Sequence, residues 1–553
     1  MRKFRRSIAL VISLLMVAAI VAACGPANQA PAGPGPGQPA QTPGQPAAPA
    51  APPAMVAPAA PDPTAIFAEH IDVIKDNNNV GVLNPLSPAA NNSPTNWSFI
   101  MIHDRLMELD FDTLEFVPSL ATAWETEDYQ TFTFTLRDDV VFHNGDRFTA
   151  QDVANTVELA RELGAGSQGG SFWAPVESFN VINDTTIELT LSGVRVDFYF
   201  NLAMPAAGIL NRRAIEADAE RGFWVGTGAY SVGEFVPNDF IRFVRNDDYW
   251  NTDKNILTEQ ITLRFVPEMS ARTIRMQRGE SQLSFGTSAE DLPLFQAEPE
   301  NFEVYPLTFN NPQGLSFNMN DPITGDHNFR MAVAHAMDKD VIALMAASEW
   351  AIGDYFTGTI WGYNTEFRNN SIPAIPHDLD LAREFLAASN YNGEEVEIAA
   401  AIITNIRAAQ ALQHQLAAIG INARVAEFDS PGLNAYMIDP NSGSQMVFFN
   451  IVMNMSSASF RNIFIPGGPQ NRMFYNNPVV TEMLDEVATM LDASEREAHF
   501  MRLQEIVAED IPFINVFWRI NGILAANGIG GVGLPPDNQQ ADLRELFYII
   551  GYN

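Results

Sequence analysis

Eight histidines, at positions 70, 103, 143, 327, 335, 377, 414 and 499, are the first residues to test for chemistry in this chain of 553. No two stand four apart and none lies in an H-E-x-x-H string, so the helical pair that grips zinc is missing. His143 sits in Phe142-His143-Asn144-Gly145, where a structural hydrogen bond is the expected role. With 66 acidic residues, neighbours such as Asp138-Asp139 and Glu394-Glu395 arise by chance and do not mark an acid/base pair. Residues 164–169, G-A-G-S-Q-G, match a dinucleotide fingerprint as a string. They follow a helical pattern instead of a strand, so a flexible loop is expected. Walker and G-x-S-x-G motifs are absent, and Cys24 is the only cysteine, which leaves no intrachain disulfide and no CxxC site. Catalysis, a metal site and a cofactor therefore have no support. What remains is binding chemistry: neutral amides and hydroxyls near aromatic rings.

The elements that would position such groups can be read from periodicity. Phe132, Phe134 and Leu136 alternate with Thr133, Thr135 and Arg137, the period of a strand with one buried face. Val140–Phe142 reads as a second strand paired with it, ended by the Asn144-Gly145 turn. Thr149 and Asp152 form a capping-box-like start to a helix over 150–163 with Val153, Val157 and Ala160 on one face. Residues 84–88 read as a loop and 97–109 as a helix; 186–191, 241–244 and 261–265 read as strands. Further on, 329–348 and 378–389 are helical patterns. Strand 396–403, helix 408–419 and strand 421–428 make a βαβ unit with parallel strands, its helix stopped at Gly420. Helices over 479–491 and 494–508 precede a strand over 511–518.

Three stretches carry a resemblance. Residues 118–153 contain P-S-L-A-T-A-W, then L-R-D-D-V-V-F-H-N-G and T-A-Q-D-V; residues 226–250 contain G-T-G-A-Y and R-N-D-D-Y-W; residues 330–342 read R-M-A-V-A-H-A-M-D-K-D-V-I. Together they closely resemble the peptide/nickel class of extracellular solute-binding proteins of ABC transporters, with Ala229 where relatives commonly carry proline. The resemblance implies an α/β, two-lobed periplasmic-binding-protein-like fold with mixed sheets and a ligand cleft between lobes. The first lobe would be discontinuous: lobe I over 65–312, lobe II over 313–516 and a return to lobe I over 517–553, with Phe317-Asn318 as the hinge candidate. Carried over by position, cargo contacts would come from Asn84, Trp97, Phe317, Asn318, Trp361, Thr404 and Asn405, and from Asn450, Asn454 and Ser456. Peptide binders usually carry an Asp near that last group, paired with the peptide's α-ammonium. Here no acidic residue stands between Gln445 and Arg461. The implied cargo is an oligopeptide or similar polar solute delivered to an ABC permease by a monomer. Carbohydrate, opine-like or chelated-metal cargo, and a secreted hydrolase, are the alternatives.

The ends of the chain suggest an address. Arg2, Lys3, Arg5 and Arg6 precede an uncharged apolar stretch over 7–23, and Val21-Ala22-Ala23-Cys24 resembles a bacterial lipobox. Lipidation of Cys24 would hold the protein on the extracytoplasmic face of the cell envelope. Residues 25–63 are nearly all Pro, Ala, Gly and Gln and read as a tether. Loss of residues 1–23, four of them basic and none acidic, takes the formal charge from −34 to −38. Such a surface repels phosphate backbones, so nucleic acid is not an expected partner.

Overall fold

The computed structural model describes residues 69–530 and 551–552, apart from 76–79, 91–92, 111–114, 253–255, 257, 288–290, 309–311, 348–350, 354–368, 370, 451–456, 469 and 488. Cys24 and the expected tether lie outside the described residues.

The alternating Phe132, Phe134 and Leu136 do form a strand, Thr131–Leu136, in a four-stranded antiparallel sheet with Ala121–Glu125, Thr186–Leu191 and Val176–Asn183. Phe132 stands opposite Leu189 and Phe134 opposite Ile187, and all four are fully buried. Helix Ala150–Leu163 belongs to the same core through Val153, Val157 and Ala160. Its Asp152 carboxylate accepts the Thr149 N–H at 2.9 Å, as the capping pattern requires. The expected strand over 140–142 is not a partner of Thr131–Leu136. Val140–Phe148 folds on itself, with Gly145 N–H donating to Phe142 O and Phe148 N–H to Val140 O, because three bulky residues, Val140, Phe142 and Phe148, all bury. Residues 164–169 are not a free loop either. Gly164 and Gly170 bring two helices so close that a Cβ on Gly164 would lie 2.7 Å from the Gly170 Cα.

The G-T-G stretch has the same kind of cause. A Cβ on Gly226 would meet Ile102 O at 1.9 Å and one on Gly228 would meet Met101 O at 2.4 Å, so this segment lies directly against the end of helix Ser93–Ile102. His143 fastens the contact by accepting from Gly226 N–H at 3.3 Å and donating to Gly228 O at 2.9 Å. Gly226→Ala should therefore cost about 1–3 kcal/mol of stability through overpacking. Urea denaturation checks this, and an unchanged midpoint would refute the close approach. The helix expected over 97–109 stops at Ile102; Met107–Leu109 is a strand, because the intervening Asp104 turns inward and is fully buried. The pattern at 329–348 is two helices, His327–Ala336 and Lys339–Ala347, broken where Asp338 accepts the Val341 N–H.

Apart from two small two-stranded sheets, Met107–Leu109 with Phe116–Pro118 and Ile529–Gly530 with Gly551–Tyr552, the remaining strands join one twelve-stranded mixed sheet. Its axis is Phe513–Ala526, a strand extending eight residues beyond the expected end at Trp518. Early in this spanning strand Phe513, Ile514 and Phe517 pair antiparallel with Gln313–Phe317; later, Gly522–Ala525 pair with Leu283–Thr287 and Ile520–Ala526 with Phe302–Thr308. On one side His70–Lys75 runs parallel to Leu283–Thr287 and Gln260–Phe265. On the other, Met446–Asn450 pairs with Gln313–Phe317 and runs parallel to Val396–Ala400, itself parallel to Ala423–Glu427. The expected βαβ unit is thus present. Its helix, Ile403–Ala417, begins five residues early, after Ile402 at φ 24°.

Candidate ligand-binding cleft

The register of the spanning strand locates a candidate site. Leu283–Thr287 runs toward the middle of that strand, ending with Thr287 opposite Gly522, while Gln313 at the start of its own strand stands opposite Phe517. The carboxyl ends of two separate sets of parallel strands consequently face the stretch between Phe517 and Gly522 from either side. In open α/β sheets the crevice beyond the strands' carboxyl ends is where ligands bind.

On one edge stand Lys75, which ends its strand, Phe285 and Trp97. The Lys75 ammonium lies 4.6 Å from the centre of the Trp97 ring, and that ring meets Phe285 edge-on at 4.8 Å. Trp97 is 5% exposed, and its Nε1–H has no hydrogen-bond partner. A buried indole donor normally finds one.

On the other edge Asn450 ends its strand opposite Gln313. Both project on the sheet face that carries Met446, Phe448, Leu315 and Phe317, the face packed by Ala408, Ala409 and Leu412 of helix Ile403–Ala417. That helix starts three residues after Val396–Ala400, so its first turn lies at the carboxyl edge of these strands. Thr404 and Asn405 lie in this turn, not in a loop as expected, and are 7% and 3% exposed. Thr404 Oγ1 and Asn405 Oδ1 have no hydrogen-bond partner, nor has Asn515 Oδ1 on the spanning strand.

The other expected contacts fall elsewhere. Phe317 is fully buried in the core opposite Met446, at the far end of its strand, because its ring completes the cluster with Phe329 and Phe448. Asn318 next to it is consumed by a turn, donating to Ser444 O at 2.7 Å and accepting from Asn320 N–H. Neither is at the crossing of the sheet, which is made by the spanning strand. Asn84 folds onto its own loop, its Oδ1 accepting the Leu86 N–H at 2.8 Å. Trp361, Asn454 and Ser456 lie outside the described residues. Gln313 and Lys75 are additions to the expected set. Among the described residues no cluster of three His, Cys, Asp or Glu side chains could hold a metal ion, and no helix is long and apolar enough to cross a membrane.

Residues 115–465 match the model of bacterial extracellular solute-binding proteins, family 5, middle region. The chain belongs to this family. It is 24% identical over 366 residues to the dipeptide-binding protein of Escherichia coli K12, a match covering 60% of this chain and 67% of that one. It is 25% identical over 449 residues to the glutathione-binding protein GsiB of the same strain, covering 76% and 84%. Among solved structures, the periplasmic binding protein DppA of Helicobacter pylori in complex with the peptide STSA superposes with a TM-score of 0.71 at 22% identity, over 88% of this chain and 98% of that one. The family 5 protein described here thus has the two-lobed α/β fold of these binding proteins. The His143 turn, the G-T-G segment and the R-N-D-D-Y-W strand end are framework in this member, because their side chains are spent on contacts within the protein.

Proposed function

We propose that this family 5 protein captures an oligopeptide or similar polar solute between the two strand edges and delivers it to a membrane permease, without turning it over. The observation that carries this reading is the pair of facing carboxyl edges, each bearing buried polar atoms with no partner among the described residues. A solute supplying those hydrogen bonds would favour a closed arrangement, with the lobes moving about the Phe517–Gly522 stretch. In this reading lobe I comprises 65–312 and 517–553, and lobe II comprises 313–516. The solute-binding proteins for dipeptides and glutathione named above support peptide cargo. The protein acts as a monomer, exported and held on the extracytoplasmic face by lipid on Cys24, with residues 24–64 as tether.

Native mass spectrometry of the purified protein tests the cargo: a ladder of mixed-sequence peptides is the expected result. A carbohydrate, opine-like or chelated-metal cargo is the second reading, favoured by the absence of acid between Gln445 and Arg461. A single such species would displace the first reading. Asn450→Asp supplies a carboxylate where a peptide ammonium would need one, since an unpaired buried charge is costly. It should raise affinity for free peptides about tenfold over their N-acetylated forms, on the scale of one charged hydrogen bond, and calorimetry reads the difference.

A further inference from the structure

The first turn of helix Ile403–Ala417 is built to receive something. Its N-cap residue, Ile402, has no side-chain oxygen and makes no capping bond, whereas Asp326, Asp378 and Asp492 cap their helices by accepting first-turn N–H groups. Asn405 N–H turns back to Ile402 O at 3.0 Å, and the helix of 15 residues keeps the outward-pointing N–H donors of Ile403 and Thr404 and the positive end of its dipole. Beside these lie the Thr404 hydroxyl and the Asn405 carbonyl oxygen, both buried and without partners. Ile402 also holds φ at 24°, a region that a β-branched side chain rarely enters. Ile402 and Ile403, 43% and 54% exposed, leave apolar surface at the rim.

The two kinds of vacancy differ in sign. Free helix N–H groups and a hydroxyl proton ask for an anion, while an amide oxygen asks for an N–H. We propose that this turn binds the C-terminal residue of the cargo, its carboxylate on the helix N-terminus and Thr404 Oγ1, and its amide N–H on Asn405 Oδ1. This rests on the peptide reading above and sharpens it: the cargo is anchored by its acid end, and its amine goes unread. The same turn would take any N-acyl amino acid, which carries the same carboxylate and N–H side by side.

The test uses the full-length protein and one tetrapeptide library in three forms, free, N-acetylated and C-amidated, with N-acetyl amino acids in parallel, read by calorimetry and thermal shift. C-amidation should lower affinity about tenfold or more, whereas N-acetylation should change it by less than about threefold. Asn405→Asp places a negative charge in the first turn, where the helix dipole offsets part of the cost of burying it, so its midpoint of thermal unfolding should fall only modestly. It should nonetheless abolish preference for the free acid. Thr404→Val, near-isosteric, should weaken the acid and leave the amide unchanged. Equal binding of acid and amide would overturn the subsite and leave peptide capture standing. Binding of N-acetyl amino acids without any peptide would do the reverse, supporting the subsite and removing the peptide reading. Binding of neither would overturn both.

Discussion

Asp104→Ala is expected to cost about 3–5 kcal/mol of folding free energy, enough to unfold much of a marginally stable lobe. The Asp104 carboxylate is fully buried and accepts three side-chain hydrogen bonds, from Thr227 Oγ1 at 3.0 Å, Tyr249 OH at 3.1 Å and Trp250 Nε1 at 2.8 Å. Those donors come from the two ends of the stretch over 226–250, so one side chain ties the end of helix Ser93–Ile102 to both family-like motifs. Alanine would strand the buried Thr227 and Tyr249 donors and the half-buried Trp250 donor at once and open a small cavity. Each stranded donor costs about 1–3 kcal/mol, and partial entry of water offsets part of the sum. Tyr249→Phe removes one of these donors and keeps the carboxylate in place, so about 1 kcal/mol is expected there. Asp104→Asn should fall between, because its amide can accept on one side only. Urea denaturation of the three variants gives the order, and a loss under about 1 kcal/mol for Asp104→Ala would show that the carboxylate is not the tie.

What the sequence discloses depends on whether a residue acts through a periodic pattern or through a distant neighbour. Phe132, Phe134 and Leu136 declare their strand because alternation reports directly on a buried face, and Thr149 with Asp152 declares a helix start because the cap is local. The βαβ unit over 396–427 is visible for the same reason. The spanning strand is only half visible. After Trp518 the run Arg519-Ile520-Asn521-Gly522 carries turn residues, yet the backbone stays extended because Phe302–Thr308 pairs along its full length. The hinge candidate Phe317-Asn318 stands beside a helix signal, but its side chains are taken up by the core and by a turn. At the site, Thr404 and Asn405 are found by family position but placed in a loop, since nothing local announces a helix that starts without a capping residue. Gln313 is a single amide in an apolar strand. That it stands opposite Asn450 is a property of register, which a single chain read in order does not contain.

Acid should weaken this protein well before its carboxylates titrate, and His103 is the reason. Its ring is 1% exposed, donates through Nε2 to Phe223 O at 3.0 Å, and is pushed down to about 3 by burial, with His143 adding to the effect. His143 is lowered by the same cause, less decisively because part of its side chain reaches solvent. The sign follows from proton uptake. The unfolded chain binds a proton at His103 below pH 6.5, which the folded chain refuses until about pH 3. Stability is therefore whole above pH 6.5 and falls as pH drops through that window, by up to about 1.4 kcal/mol per unit. Between pH 6.5 and 5 the loss from His103 should approach about 2 kcal/mol. Protonation of surface carboxylates acts the other way in so acidic a chain, by relieving self-repulsion, so the comparison must be made against a variant at each pH. His103→Gln keeps a neutral donor for Phe223 O and removes the titration. Its urea midpoint should be lower than the parent's at pH 7.5 and should fall less between pH 6.5 and 5. Parallel pH curves for the two proteins would mean that His103 is not the group refusing the proton, and would place the acid sensitivity elsewhere in the buried network that the F-H-N-G turn shares with Gly226 and Gly228.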